Sequence, residues 1–216
     1  MAVRHRLAPY HKERFPSDSL HDAVARSVCD AACLVEKEWH ESWAVARKVL
    51  RRHRGGPVLD LAGGHGLVAF LMLLQDRKTP HATVVDQQLP DSVAKLREAL
   101  AIRWPDQVAR WRFEPGDLAT VDVPPHARIL GIHACGGLTD VVLDRAIATR
   151  RRVAVLPCCH SRAKQDAGGL DGWLDHDVAV DVVRARRLAD ARFRVHTTTI
   201  DAAITPKNRL LMGTPA

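Results

Sequence analysis

One stretch, Val58-Leu59-Asp60-Leu61-Ala62-Gly63-Gly64-His65-Gly66, constrains this chain more than any other. Apolar residues ending in an acid read as a short buried strand, and the glycines that follow read as a tight turn. Leu67 to Leu74 is an unbroken apolar run that suits a buried helix. Glycine lets the backbone turn sharply and come close to a ligand. The first N–H groups of the helix have no partner within it and face the same space. Strand, glycine turn and helix start together predict a site for a nucleotide-like cofactor.

Two cofactors compete for that turn. Gly64-His65-Gly66-Leu67-Val68-Ala69 fits G-x-G-x-x-A, and Asp86 lies about 20 residues further on, as a dinucleotide fingerprint requires. Asp60 argues the other way. Its charge would repel a pyrophosphate but attract the ammonium of a methionine moiety. A further acid, Asp117 in Pro115-Gly116-Asp117-Leu118, follows the next candidate strand, and too little chain remains beyond the fold for a dehydrogenase substrate domain.

Period-2 and period-3.6 patterns alternate along the rest of the chain. Strands are expected near 58–62, 82–86, 110–114, 128–134, 152–157, 193–200 and 207–213, with helices near 66–76, 91–103, 139–149 and 172–190. This order predicts an α/β fold with a doubly wound, mostly parallel sheet. The last two strands, joined through Thr205-Pro206-Lys207, read as a closing hairpin. Residues 57–216 make the cofactor-binding domain. Residues 1–56 make an N-terminal extension, in which 1–16 is a loose arm. Leu20, Val24, Val28, Ala31, Val35, Trp39, Ala46 and Val49 then mark one long helix or two abutting ones. Ser17-Asp18-Ser19 offers caps for its start, and Gly55-Gly56-Pro57 stops it.

The D-x-x-G-G-x-G pattern, with acids after the second and third strands, resembles class I S-adenosylmethionine-dependent methyltransferases. That resemblance implies a Rossmann-like seven-stranded sheet with an antiparallel seventh strand inserted at its edge. It also implies S-adenosyl-L-methionine as cofactor, held by Asp60, Ala62, Gly63, Gly64, Gly66, Asp86, Gln87, Asp117, Leu118 and His133. Asp86 would accept the ribose hydroxyls and Asp117 the adenine amino group.

A narrower likeness lies in two loops. His133-Ala134-Cys135-Gly136 with Thr139-Asp140, and Pro157-Cys158-Cys159-His160, resemble a subgroup that includes eukaryotic tRNA acceptor-stem 2′-O-methyltransferases and methyltransferase-like proteins with a Pro-Cys-Cys segment. Asn208 fits the same pattern, whereas Ser161 stands in place of a second histidine and the small zinc fingers of the tRNA enzymes are absent. The likeness implies an RNA substrate. A small molecule or protein acceptor, or a non-catalytic cofactor-binding scaffold, are the competing readings.

In open α/β sheets ligands bind beyond the carboxyl ends of the strands, so both loops are expected beside the transferred methyl group. His160 is the preferred general base and His133 the second. Cys158 and Cys135 are catalytic candidates as nucleophiles or, more simply, as pocket walls. Thiolates and imidazoles also ligate zinc. Adjacent cysteines rarely both ligate one metal with good geometry, and the absence of C-x-x-C also weighs against metal; neighbours on a strand end face opposite sides, so one of Cys158 and Cys159 is expected to pack under the pocket. Cys29 and Cys33, one helical turn apart, read as core, as do most of the five tryptophans.

Composition bears on partners. The formal charge of +7 suits an anionic partner such as RNA, and Arg47, Lys48, Arg51, Arg52 and Arg54 form a basic run ending the first long helical stretch. An odd cysteine count argues against a disulfide framework. The N-terminus lacks a signal-like apolar run, and no stretch is long enough to span a membrane. A cytoplasmic location follows as the expectation.

Overall fold

The computed structural model describes residues 5–216. Seven strands, β1 (Val58–Leu61), β2 (Ala82–Asp86), β3 (Trp111–Pro115), β4 (Arg128–Gly131), β5 (Arg152–Val155), β6 (Phe193–Thr199) and β7 (Arg209–Pro215), form one sheet in the order β3-β2-β1-β4-β5-β7-β6. The first five strands run parallel, and β7 is antiparallel to both β5 and β6. The expected hairpin is present. Its second strand is inserted between β5 and β6 rather than added outside β6.

Helices cover both faces: α1 (Leu20–Ala31), α2 (Glu36–Leu50), α3 (Leu67–Gln75), α4 (Ser92–Ala101) and α5 (Pro105–Ala109) precede β4, and α6 (Leu138–Thr149) and α7 (His176–Asp190) follow it. Strand alternation sorts the core between them. Val58, Val84, Leu130, Ala154 and Met212 join the cluster that includes Val45, Leu67, Phe70 and Leu96. Leu59, Leu61, Val85, Ile129, Val153, Val155 and Leu211 join the opposite one with Val142, Leu143 and Leu188. The chain reverses its winding between β1 and β4. This is the crevice where such sheets bind ligands.

Of the two readings of Leu20 to Val49, the two abutting helices are present. Ala32 takes a left-handed backbone (φ 49°) that ends α1, and α2 restarts at Glu36. The expectation of a loose arm needs correction from His5 onward; residues 1–4 of it lie outside the described residues. Leu7 donates its N–H to Leu34 O (2.9 Å), and Glu36 donates to His5 O (3.0 Å). Leu7 and Phe15 are buried, and Pro9–Arg14 forms a 3-10 turn. The arm, α1 and α2 share one apolar cluster with α3 and the sheet. Ser19 caps α1 as expected, accepting from Asp22 N (3.2 Å).

At the amino ends of the strands a buried polar clamp closes the sheet. Arg128, fully buried, donates to Asp76 Oδ2 (3.1 Å), His53 O (3.0 Å) and Gly56 O (2.9 Å). The opposite edge is left for chemistry.

Candidate active site

The glycine turn sits at the carboxyl end of β1. Gly66 N donates to Gly63 O (2.8 Å), and Phe70 N returns to Gly66 O (3.1 Å), so α3 starts directly from the turn. A side chain at Gly63 would overlap Asp60, at 2.7 Å from its Cγ. One at Gly66 (φ +65°) would strike Val84 at 2.4 Å. Gly64 (φ +55°) has nothing within 4 Å of where a Cβ would stand. It therefore faces open space, while Gly63 and Gly66 leave no room for a side chain, and all three line the cavity on this turn. Ala62, also left-handed (φ 54°), is buried and bonded to Val85 O (2.9 Å).

Beneath this turn lies Asp60, 1% exposed, with Oδ1 free of any hydrogen-bond partner. Burial, and then the charge of Asp86, push its carboxyl up to about 7. A buried carboxylate without a partner is costly, and it is a natural seat for a cation. Asp86, at the end of β2, accepts from Gly64 N (3.2 Å) and Gln87 N (2.8 Å) and keeps further lone pairs. Gln87 is exposed. Asp117 is also exposed and accepts from Ala119 N (2.9 Å), the bond of a turn aspartate. Leu118 is buried in the second core cluster.

A cavity of about 210 Å³ opens on the turn. Glu38 and Ser42 of α2, His65, Pro90 and His133 form its walls together with Gly64. Sequence reasoning missed Glu38, Ser42 and Pro90. Their only trace is a polar i, i+4 pair on α2, and which face of α2 meets the sheet is a tertiary fact. His65 Nε2 bonds Ser92 Oγ (2.6 Å). Burial lowers the pKa of His65 and of His133, so both imidazoles are neutral near pH 7.

The two loops after β4 and β5 do meet, but not as expected. His160 turns inward. Its side chain is 0% exposed, with Nε2 2.9 Å from Asp181 Oδ1 and Nδ1 3.5 Å from Asp177 Oδ2. His160 thus packs against α7 and is not among the residues that line the cavity, whereas it was expected to face the reacting atoms. Cys158 and Cys159 were expected on opposite sides of a strand end. However, β5 ends at Val155, and both lie in the loop with their sulfurs 3.7 Å apart. Cys135 Sγ is 2.9 Å from Cys158 Sγ. Burial raises the pKa of the Cys135 and Cys158 thiols, which favours the neutral thiol over the thiolate. Cys29 and Cys33 are buried, as expected of core residues.

Arg184 of α7, 1% exposed, ties these loops together. It donates to Gly136 O (3.1 Å), to Asp140 Oδ2 (2.8 Å) and to Asp181 Oδ1 (3.3 Å). The basic run lies elsewhere. The first turn of α2 faces the cavity, whereas Arg47, Arg51, Arg52 and Arg54 are exposed towards its other end. At ~1.5 Å per residue, Glu38 and Arg51 stand about 20 Å apart along the helix.

A family model described as a methyltransferase domain matches residues 34–166. A search of curated sequences finds no match. Several solved structures share the fold. An O-methyltransferase family protein from Burkholderia thailandensis superposes with a TM-score of 0.54 at 17% identity over 99% of this chain, which spans 65% of that protein's length. The methyltransferase domain of bacterial CtHen1-C gives 0.55 at 15% identity, covering 84% of this chain and all of that domain. Human N-acetylserotonin methyltransferase, solved in complex with SAM, gives 0.50 at 16% identity over 92% of this chain and 57% of its own.

Proposed function

The chain belongs to a methyltransferase-domain family, and we propose that it transfers a methyl group from S-adenosylmethionine to a nucleophilic acceptor, with RNA as the acceptor class. The observation that carries the cofactor reading is Asp60. A buried carboxylate with an unpartnered oxygen, under a turn whose Gly64 faces open space, suits the ammonium of a methionine moiety. The same charge would oppose the pyrophosphate of a nicotinamide dinucleotide. Asp60, Gly64 and Asp86 would hold the cofactor, and Glu38 adds a second carboxylate to the cavity wall. When bound, the cofactor supplies an activated methyl group on a sulfonium.

Methyl transfer asks the chain mainly to position the acceptor and to take one proton. Among the described histidines, His133 and His65 line the cavity. His65 is engaged by Ser92. His133, neutral because burial disfavours its charged form, is the base we propose. RNA is supported by the +7 charge and by the basic run on α2. A strand lying along that helix would reach both the run and the cavity.

The test measures S-adenosylhomocysteine binding by calorimetry and label transfer from methyl-labelled S-adenosylmethionine to RNA. Gly64→Val should lose binding, because its branched side chain fills the open space and is strained at φ +55°; a thermal melt establishes that the variant is folded. His133→Ala should bind normally and lose about a hundredfold in turnover, the usual scale for a general base. Unchanged binding by Gly64→Val would remove the cofactor reading. Transfer to small molecules but never to RNA would replace the acceptor class, and full activity of His133→Ala would discard it as base.

A further inference from the structure

We propose that Cys135, Cys158 and Cys159 form a binding site for one thiophilic divalent cation of the zinc class, with a fourth coordination position left open. This inference does not rest on the methyl-transfer reading. Three thiols from two loops, separated by the length of α6, converge so that all three sulfurs lie within 4.8 Å of one another. Four-coordinate zinc with Zn–S near 2.3 Å sets its sulfurs about 3.8 Å apart. Cys158 and Cys159 are already at 3.7 Å. The Cys135–Cys158 pair, at 2.9 Å, must open by about 1 Å to match that spacing. Cys135 is exposed and free to make that change by a rotamer adjustment. The usual objection to adjacent cysteines is that a strand turns them to opposite faces. It fails here because the pair lies beyond the end of β5.

The scaffold beneath the sulfurs is more rigid than a loop needs to be. Behind Cys135, Thr139 Oγ1 donates to Ala134 O (2.5 Å) and Arg184 to Gly136 O (3.1 Å). Behind Cys159, His160 is enclosed and bonded to Asp181, which Arg184 also contacts. Buried partners that fix the orientation of the groups next to a ligand set are what tune a metal site. Cys135 and Cys159 are exposed, so the sulfur triangle opens to solvent on one side. Three protein ligands with one open position is the arrangement of catalytic rather than structural zinc. A water or an acceptor atom would complete it.

The experiment uses the full chain, reduced and freed of metal by a chelator, titrated with Cd²⁺ alone while the ultraviolet thiolate-to-metal charge-transfer band is followed. We expect saturation at one equivalent, displacement of the band by Zn²⁺, and a rise in thermal midpoint on binding. Cys135→Ser and Cys159→Ser should each weaken binding at least tenfold, and Arg184→Met by about ten- to hundredfold. Cys33→Ala, buried in the other core, should leave it unchanged. A wild-type chain with no saturable band overturns the proposal. So does a band of full strength in the triple serine variant, or one that Zn²⁺ cannot displace.

Discussion

Asp60 is the residue whose chemistry is most out of the ordinary, and it has a pH signature with a definite sign. Its carboxyl is held at about 7 in the folded chain by burial and by Asp86, against about 3.9 in an unfolded one. A group protonated more readily when folded stabilises the fold fully below its unfolded pKa, and that contribution is lost as pH rises through 7. The thermal advantage of Asp60→Asn over the parent should therefore grow from pH 5 to pH 8. Binding of S-adenosylhomocysteine should run the opposite way. The parent should lose affinity as pH falls below 7, at up to about tenfold per unit, and Asp60→Asn should show a flat profile. Parallel profiles for the two proteins would detach the cofactor ammonium from Asp60. The place of Asp60 at the end of β1 beneath the glycine turn was legible in the sequence, because strand, acid and glycines lie within a few positions of one another. That of His160 was not. Whether it points at the cavity or beneath α7 is decided by Asp177 and Asp181, which no local pattern connects to it.

Among the elements, α7 has the largest influence on the site without reaching the cavity. Arg184 is buried, and through Asp140, Asp181 and Gly136 O it holds the loops after both β4 and β5. Removing one member of a buried ion pair leaves the others uncompensated, at about 3–5 kcal/mol when burial is complete. Asp140 keeps some solvent, so Arg184→Met should cost towards the low end of that range in urea unfolding at pH 7. Arg186→Met, whose partner Asp190 is exposed on the same helix, should leave the urea midpoint nearly unchanged. Similar losses for the two variants would show that Arg184 anchors nothing. Element types and order were legible because burial on both sheet faces leaves strong period-2 and period-3.6 patterns. The choice between one long helix and two abutting ones, and the place of the break at Ala32, were not, since a non-glycine residue in a left-handed turn leaves no compositional mark. Short α5, which starts from Pro105 after a tryptophan, was hidden for want of a full period.

For the molecule as a whole, the strand order brings together what the chain keeps apart. The reversal between β1 and β4 puts Gly64 and His133 on one cavity, and α2, which precedes the glycine turn in the chain, closes that cavity. Sequence reading placed the extension before the fold. It could not see that α2 lies against α3 with its two ends serving different ends of the sheet. That geometry sharpens the RNA reading into a measurement. If Arg47, Lys48, Arg51, Arg52 and Arg54 neutralise phosphates, the logarithm of RNA affinity should fall linearly with the logarithm of salt. For a single strand the slope is about 0.7 per phosphate contact. Reversing all five to Glu should lower the slope by roughly that amount for each lost contact. S-adenosylhomocysteine binding should stay as it was, because the run stands about 20 Å along α2 from Glu38. A purely solvated helix end predicts instead the same slope and the same affinity for parent and variant at moderate salt. That result would leave the cavity with an acceptor small enough to enter it without touching the rest of the surface.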